Sequence, residues 1–363
     1  LISRVTGASF RLYLVALAMQ YIVFESLGIP FWVTVVLSIL LIWLYTNKGG
    51  IKTIIWTDTL QTIAMLTSVS VAIILILNKL DWTLAETFTK ETFKNKSKIF
   101  FFEDVNSSIY FWKYFIGGIF ITIAMTGLDQ DMMQKNLTCK NAKESKKNMF
   151  LMSILLVVVN VIFLTLGALL FIYAEQFNIA IPELNGVTRT DLLFPEIAMN
   201  QGLGKGLAIT FIIGLIAAAY SSADSALTAL TTSFSIDILN IEKKYSPLEQ
   251  VTMRKRIHVL ISLILILVII SFKYLIKDES VIAKLFVFAG YTYGPLLGLY
   301  AFGLFTKLKV KDKLVPVIAI LSPILSYFIS INSIKWFGFE FGFFILILNG
   351  FLTFLGLILI RSK

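Results

Sequence analysis

The sequence predicts an all-α protein that crosses a membrane many times. Hydrophobic residues make up 57% of the 363 residues, charged residues only 15%, and the mean hydropathy is +0.84. A soluble domain of this size could not bury so much apolar surface, so the composition indicates an integral membrane protein. The apolar residues form long runs, and about 20 consecutive apolar residues are enough for a helix to span the hydrocarbon core.

Ten apolar runs can be interpreted as membrane helices. They cover residues 1–24, 31–46, 51–78, 108–133, 149–175, 203–238, 256–276, 280–306, 313–331 and 340–361. The second run is short for a membrane span. The sixth is longer than a span requires, so we expect it to tilt or to project into the cytoplasm.

The charged residues of the loops predict the orientation. Compact clusters of Lys and Arg lie in alternate loops, which the positive-inside rule places in the cytoplasm. The clusters contain Lys48 and Lys52; Lys135, Lys140, Lys143, Lys146 and Lys147; Lys243, Lys244, Arg254, Lys255 and Arg256; Lys307, Lys309, Lys311 and Lys313; and Arg361 and Lys363. Ten crossings then place both ends of the chain on the cytoplasmic side of a multi-pass protein in the cell membrane. The net charge of +10 therefore reflects topology, and we expect no nucleic-acid partner.

One outer loop, residues 176–202, contains the stretch TDLLFPEIAMN. This stretch has the pattern of a short amphipathic helix that lies over the outer face. A lid and an ordered surface loop both remain open as interpretations.

Polar residues interrupt the sixth apolar run, in the stretch GLIAAAYSSADSALTALTTSFSIDIL (214–239). Ser221, Asp224 and Ser225 belong to a series spaced by three and four residues, which places them on one helix face. Carboxylate and hydroxyl oxygens are hard ligands, suited to a hard cation such as Na⁺. Small residues also line the contacts between membrane helices, so packing is the alternative. The carboxylate of Asp224 in mid-span favours an ion or water pathway.

A second carboxylate lies at membrane depth in GGIKTIIWTDTLQ (49–61). Asp58 follows Lys52 by six residues, so it is about 9 Å deeper, and Gln61 is on the same side of the helix. A nearby cation would keep this carboxylate ionised. A structural pair with Lys or Arg is the alternative.

The fourth run ends in TGLDQDMMQKN (126–136). Thr126 and Gly127 are candidates for a helix break that frees backbone groups to meet a ligand. Asp129 and Gln130 follow in the cytoplasmic half, whereas Asp131 fits a cap at the helix end.

Glycine and proline interrupt the eighth run, in FAGYTYGPLLG (288–298). Gly290, Gly294 and Pro295 predict either a hinge or unwound ligand segment, or a simple proline kink.

Catalytic signatures are absent from the sequence, so we expect no enzyme activity. The chain has one histidine and one cysteine, which excludes a His-cluster metal site and a disulfide framework. It contains neither a phosphate-binding GxxxxGK[ST] loop nor an HExxH motif.

Five motifs together resemble the sodium:solute symporter family, over essentially the whole chain. They are GGIKTIIWTDTLQ (49–61), LDQDMMQKNL (128–137), LLFP (192–195), AAAYSSADS (217–225) and YGPLLGL (293–299). The resemblance implies the LeuT-type fold, with two inverted five-helix repeats and peripheral helices. Residues 1–78 would then be the remainder of the first repeat, 108–306 the second repeat and 313–361 peripheral helices. The chain would lack the first two core helices.

The resemblance also implies functional residues. The principal Na⁺ ligands of the family match Ala218, Ser221 and Ser222. Asp58, Asp224 and Ser225 match a second cation site or the ion's exit route, although the family has a hydroxyl where this chain has Asp224. The substrate-contacting region of the sixth core helix matches Thr126, Asp129 and Gln130.

The activity that the resemblance implies is Na⁺-coupled symport by alternating access. The substrate would be a small molecule such as a sugar, a sugar acid or an amino acid. The Gln typical of sugar-specific members is absent before the Gly/Pro region, where the chain reads LFVFAG. A transporter-like sensor module and an inactive truncated fragment are the alternatives. The oligomeric state is not predicted.

Overall fold

A computed structural model describes residues 2–46, 51–107, 109–128, 130–184, 186–200, 203–275 and 281–362. The described chain is almost entirely helical. One small antiparallel hairpin pairs β1 (Glu183–Leu184) with β2 (Val187–Thr188).

The helices follow the apolar runs closely. In chain order they are α1 (Ile2–Met19, continued by a π-helical turn, Gln20–Phe24), α2 (Phe31–Thr46), α3 (Ile51–Leu80), α4 (Leu84–Thr87), α5 (Glu91–Lys96), α6 (Phe111–Thr122, continued by a π-helical turn, Ile123–Gly127), α7 (Gln130–Leu137), α8 (Ala142–Gln176), α9 (Leu193–Asn200), α10 (Lys205–Ser233, continued by a π-helical turn, Phe234–Ile238), α11 (Ile241–Lys244), α12 (Pro247–Leu275), α13 (Val281–Phe305), α14 (Val315–Phe337) and α15 (Ile345–Leu359). Each of the ten predicted runs overlaps at least one of these helices, and the run 108–133 covers both α6 and the start of α7.

Six helical segments in the described part of the chain are long and apolar enough to span a membrane. They are Arg4–Phe24, Asp58–Leu80, Ala142–Gln176, Pro247–Leu275, Asp312–Phe337 and Gly342–Leu359. Three shorter apolar segments are Phe31–Trp43, Phe111–Gly127 and Lys205–Ala217. The predicted multi-pass architecture is therefore confirmed, whereas the count of ten crossings stays a prediction.

The chain forms two compact units. The first contains Ser3–Lys98 and Cys139–Val281, and the second contains Ile99–Thr138 and Ile282–Lys363. The assignment of residues 1–78, 108–306 and 313–361 to repeats and peripheral helices is a separate prediction that the division into units does not test.

The core of the first unit lies where the second half of α3 meets the first half of α10. Ala72 and Ile76 on α3 and Leu207 on α10 are fully buried, in one cluster with the end of α8 and with α9. Because the end of one helix packs against the start of the other, α3 and α10 are antiparallel.

A glycine allows these two helices to approach closely. A Cβ atom at Gly214 would lie 2.8 Å from the Cβ of Ser68 and 3.5 Å from the Cα of Met65. Carbon atoms do not approach so closely, so any larger residue at this position would push the helices apart. The contact fixes the register of α10 against α3, with Gly214 opposite Ser68.

The predicted outer helix exists as α9, held against the π-helical turn that ends α1. The Tyr21 hydroxyl donates a hydrogen bond of 2.6 Å to a carboxylate oxygen of Glu196 on α9. The side chain of Arg189, just before α9, is buried with the Asp191 carboxylate 3.8 Å away. These contacts describe an ordered element on α1. The role of this element as a lid or as a surface loop stays a prediction.

Within the second unit, α13 packs on α15 through the Gly/Pro region. A Cβ atom at Gly294 would lie 2.3 Å from the Asn349 side chain, so the two helices are in direct contact. Pro295 has no N–H for the carbonyl of Tyr291, four residues earlier. The Asn349 amide nitrogen donates to that carbonyl at 2.7 Å and to the Gly290 carbonyl at 3.1 Å. Helix α13 is therefore continuous, and protein rather than ligand meets the freed carbonyl.

Candidate ion pathway between helices α3 and α10

The register of α3 and α10 brings two predicted site residues to one level. Asp58 precedes Ser68 by ten residues, which is about 15 Å along α3. Ser225 follows Gly214 by eleven residues, which is about 16 Å along α10 in the same direction because the helices are antiparallel. Asp58 and Ser225 therefore lie at matching distances, measured along the two helices, from the Gly214–Ser68 contact.

Helical periodicity also places both residues on the facing sides. On α3, the spacing of three, four and three residues puts Asp58, Gln61 and Met65 on the face of Ser68, which contacts α10. On α10, the spacing of four, three and four residues puts Ala218, Ser221 and Ser225 on the face of Gly214. Asp58 and Gln61 on α3 and Ser225 on α10 therefore belong to the two helix faces that meet at the Gly214–Ser68 contact.

The described side chains of this region supply buried oxygen atoms. Ser225 is only 4% exposed and Asp58 is partly buried, although its neighbours Trp56 and Leu60 are largely exposed. The side-chain oxygen Oε1 of Gln61 is buried, and no described residue donates a hydrogen bond to it. A buried acceptor without a donor is unfavourable, and a cation removes that penalty.

Gln61 was not among the predicted ion ligands. The signal that could have found it is its position, one helical turn after Asp58 and on the same face. Within the described residues, no group of three or more His, Cys, Asp or Glu side chains comes together. The described oxygen atoms of Asp58, Gln61 and Ser225 belong to a carboxylate, an amide and a hydroxyl group, which are ligand types suited to a hard cation.

Four predicted ligands lie on α10, but their side chains are outside the described part of the structure. They are Ala218, Ser221, Ser222 and Asp224. The backbone places Ala218 and Ser221 on the face toward α3, whereas Ser222 and Asp224 lie at either border of that face.

The hydroxyl series continues toward the end of α10, where it satisfies backbone carbonyls. Thr231 donates to the Leu227 carbonyl at 2.7 Å, and Ser235 donates to the Thr231 carbonyl at 2.6 Å. The Thr231 hydroxyl oxygen lies 3.1 Å from Nδ1 of His258 on α12. This part of the series joins α10 to α12.

Of the predicted substrate residues, Thr126 belongs to the second unit. Thr126 lies in the π-helical turn Ile123–Gly127 and is partly buried. The helix break predicted there is confirmed, because the helix ends at this turn and α7 begins at Gln130. The side chain of Gln130 and the whole of Asp129 are outside the described residues.

Comparisons with known proteins agree with this architecture. The sequence profile of the sodium:solute symporter family matches residues 14–311. The chain is 27% identical over 306 residues to the sodium/sialic acid symporter SiaT of Proteus mirabilis, covering 81% of this chain and 58% of that protein. It is 27% identical to the sodium/sialic acid symporter NanT of Aliivibrio fischeri, covering 86% and 61% respectively. It is 24% identical to the human sodium/iodide cotransporter, covering 77% and 43%. The chain thus spans about three fifths of the length of the two bacterial relatives.

A solved structure of a Na⁺-coupled sialic acid symporter, in a substrate-bound outward-open state, has a similar backbone. The TM-score is 0.74, and the match covers 98% of this chain and 71% of that chain at 24% identity. This likeness confirms the predicted LeuT-type fold. The relatives are sodium-coupled membrane transporters and not enzymes. Because the family profile covers most of its length, the chain belongs to the sodium:solute symporter family.

Proposed function

We propose that the protein containing this chain is a secondary active transporter that couples Na⁺ entry to the uptake of a small organic solute. The observation that carries this proposal is the close contact of Gly214 with Ser68, from which helical periodicity puts Asp58 and Ser225 at matching positions on α3 and α10. Burying polar or charged side chains at membrane depth costs free energy unless they bind an ion, line a water-filled cavity or contact a polar partner.

The proposed ion pathway has two parts. Ala218, Ser221 and Ser222 hold the coupling ion, as the family resemblance implies. Asp58, Asp224, Ser225 and Gln61 form a second cation site or the exit route toward the cytoplasm. The carboxylate of Asp58 supplies the negative charge, and the oxygens of Ser225 and Gln61 replace part of the ion's hydration shell.

Ion binding then provides the energy for accumulation. One elementary charge that crosses a potential of about 100 mV releases about 2.3 kcal/mol, which supports roughly fifty-fold accumulation of solute. Na⁺ bound from outside stabilises the outward-facing state and completes the solute site. The loaded protein then rocks inward and releases both ligands.

The proposed solute is a small organic molecule, and a sugar acid is the first class to test. Both bacterial relatives described above are named as sodium/sialic acid symporters. Thr126, Asp129 and Gln130 are the proposed solute contacts. The protein is placed in the cytoplasmic membrane with both ends of this chain inside, as the Lys and Arg clusters predict.

A fluorescence titration tests Na⁺ binding. Trp56 lies two residues from Asp58 and is 73% exposed, so its emission can report changes near the carboxylate. The full-length protein is titrated with NaCl against KCl at constant ionic strength. We expect a saturable Na⁺-specific change that Asp58→Asn weakens by tenfold or more, because losing one buried charge contact costs on the order of 1.4 kcal/mol or more.

The matched control is Asp81→Asn, which removes an exposed carboxylate just beyond the other end of α3. This variant should keep the wild-type Na⁺ response. Equal responses of the folded protein to Na⁺ and K⁺, or equal losses in both variants, would contradict the proposed ion site. Uptake of radiolabelled sialic acid into vesicles, with and without a Na⁺ gradient, tests the solute class separately.

A further inference from the structure

Helix α12 is longer than a membrane span, and its first turns lie outside the hydrocarbon. Its 29 residues rise about 44 Å, whereas the hydrocarbon core is about 30 Å thick. The apolar run of this helix begins near residue 256. The turns from Pro247 to Lys255 therefore lie at the depth of the lipid headgroups.

The residues around this helix start form a basic surface, which we call the headgroup segment (residues 242–256). It has five exposed basic side chains, Lys243, Lys244, Arg254, Lys255 and Arg256. Its two acidic side chains are Glu242 and Glu249. The carboxylate of Glu249 accepts hydrogen bonds from the backbone nitrogen and the hydroxyl of Ser246 at 2.9 and 2.8 Å, so it already serves as a helix cap.

Apolar side chains are exposed within the same segment. Leu248 is 84% exposed, Val251 is 53% exposed and the Tyr245 ring is 38% exposed. Exposed apolar residues next to basic residues are typical of segments that lie in the membrane interface. Water would be an unfavourable environment for Leu248, whereas the boundary between headgroups and acyl chains would accept it.

A shallow cavity of about 360 Å³ joins the two kinds of side chain. Tyr245, Leu248, Glu249, Thr252, Met253 and Arg256 line it. The guanidinium of Arg256 presents a fork of N–H donors that matches two oxygens of a phosphate group. The aliphatic and aromatic lining of the same cavity suits the glycerol and the first methylene groups of a lipid.

We propose that the headgroup segment is a binding site for an anionic phospholipid, with the phosphate on Arg256 and its basic neighbours and the upper acyl chain on Leu248. Charge complementarity favours an anionic lipid over a zwitterionic one, because each Lys or Arg near an anionic surface contributes about 1 kcal/mol. The proposal rests on the membrane placement of α12 and does not depend on transport activity.

Native mass spectrometry of the full chain tests this proposal. The protein is released from nanodiscs that contain equal amounts of phosphatidylglycerol and phosphatidylcholine with identical acyl chains. We expect the retained lipid to be enriched in phosphatidylglycerol. Replacing Arg254, Lys255 and Arg256 with Gln should lower the enrichment by about fivefold per charge removed, which corresponds to about 1 kcal/mol each.

A second basic loop provides the matched control. Replacing Lys307, Lys309 and Lys311 with Gln removes the same charge from exposed positions elsewhere and should lower the enrichment clearly less, because a lysine cannot provide the forked phosphate contact of Arg256. Leu248→Asn keeps every charge and should still reduce lipid retention, and it serves as a second test if the triple variant of α12 does not fold. Three results would overturn the proposal. They are equal losses of phosphatidylglycerol enrichment in the two triple variants, unchanged lipid retention in folded Leu248→Asn, and complete displacement of the lipid by inorganic phosphate.

Discussion

The contact between Gly214 and Ser68 gives the most quantitative prediction, because the register of the ion pathway depends on it. In Gly214→Ala the new Cβ would lie 2.8 Å from the Ser68 Cβ and 3.2 Å from its hydroxyl oxygen. Ser68 is only 3% exposed and cannot move away freely. Over-packing of this kind typically costs about 1–3 kcal/mol. We expect the free energy of unfolding to fall by about that amount, before the gain from helix propensity is included.

A glycine in the same unit separates the two effects. Gly167 lies in the middle of α8, where an added Cβ meets nothing within 4 Å. Gly167→Ala therefore gains only helix propensity, about 1 kcal/mol. Unfolding of both variants in the same detergent gives their difference in stability. The gain in helix propensity is common to both variants and largely cancels, so the difference gives the cost of over-packing at Gly214. If Gly214→Ala proved as stable as Gly167→Ala, the close approach of α3 and α10 would be refuted.

Two further predictions concern a buried hydrogen bond and an exposed helix cap. Asn349→Ala leaves the Tyr291 carbonyl without its donor and should cost about 1–3 kcal/mol in unfolding measurements. The control is Asn332→Ala, which removes a half-buried amide that donates to the Phe328 carbonyl in its own helix, α14, and should change stability little. The Glu86 carboxylate accepts a hydrogen bond from the Thr83 backbone nitrogen, which holds the pKa of Glu86 below its ordinary value of 4.5. Since the folded pKa is the lower one, the cap is intact above pH 4.5 and is lost as pH falls through the folded pKa. In that acidic pH range, hydrogen exchange of the Thr83 amide should become faster relative to its intrinsic rate. Glu86→Gln should remove this acid dependence. An unchanged acid dependence in the variant would contradict the role of Glu86 as the cap.

The helices were predictable because a helix that crosses the lipid needs a long apolar run, which is visible in the sequence. All ten runs coincide with helices, yet two helices begin well before their apolar runs. Helix α8 begins at Ala142, where the Asn141 side chain caps the Glu144 nitrogen at 2.9 Å, and α12 begins at Pro247. Their polar first turns lie outside the hydrocarbon, so counting apolar residues does not detect them, although the capping residues could have been recognised.

The candidate site was predictable only in part. Periodicity on each helix placed Ser221 and Ser225 on one face of α10, and Gln61 beside Asp58 on α3. It could not give the alignment between the helices, because that depends on a single close contact at Gly214, far from the polar residues in sequence. The Gly/Pro region of α13 left an unwound ligand segment open, whereas the structure has a continuous helix there, with Asn349, 54 residues after Pro295, bonded to the freed carbonyl. Long-range partners of this kind leave no local pattern.

The most direct test of the account is a double-mutant cycle on Na⁺ affinity. Equilibrium binding of radioactive Na⁺ to the full-length protein is measured for the wild type, Asp58→Asn, Ser225→Ala and the double variant. If both side chains contact one ion, the two substitutions have a coupling free energy of about 0.5–3 kcal/mol. The double variant then binds Na⁺ more tightly than the sum of the two single losses in binding free energy predicts. Strictly additive losses, or no loss in either single variant, would contradict an ion site between α3 and α10.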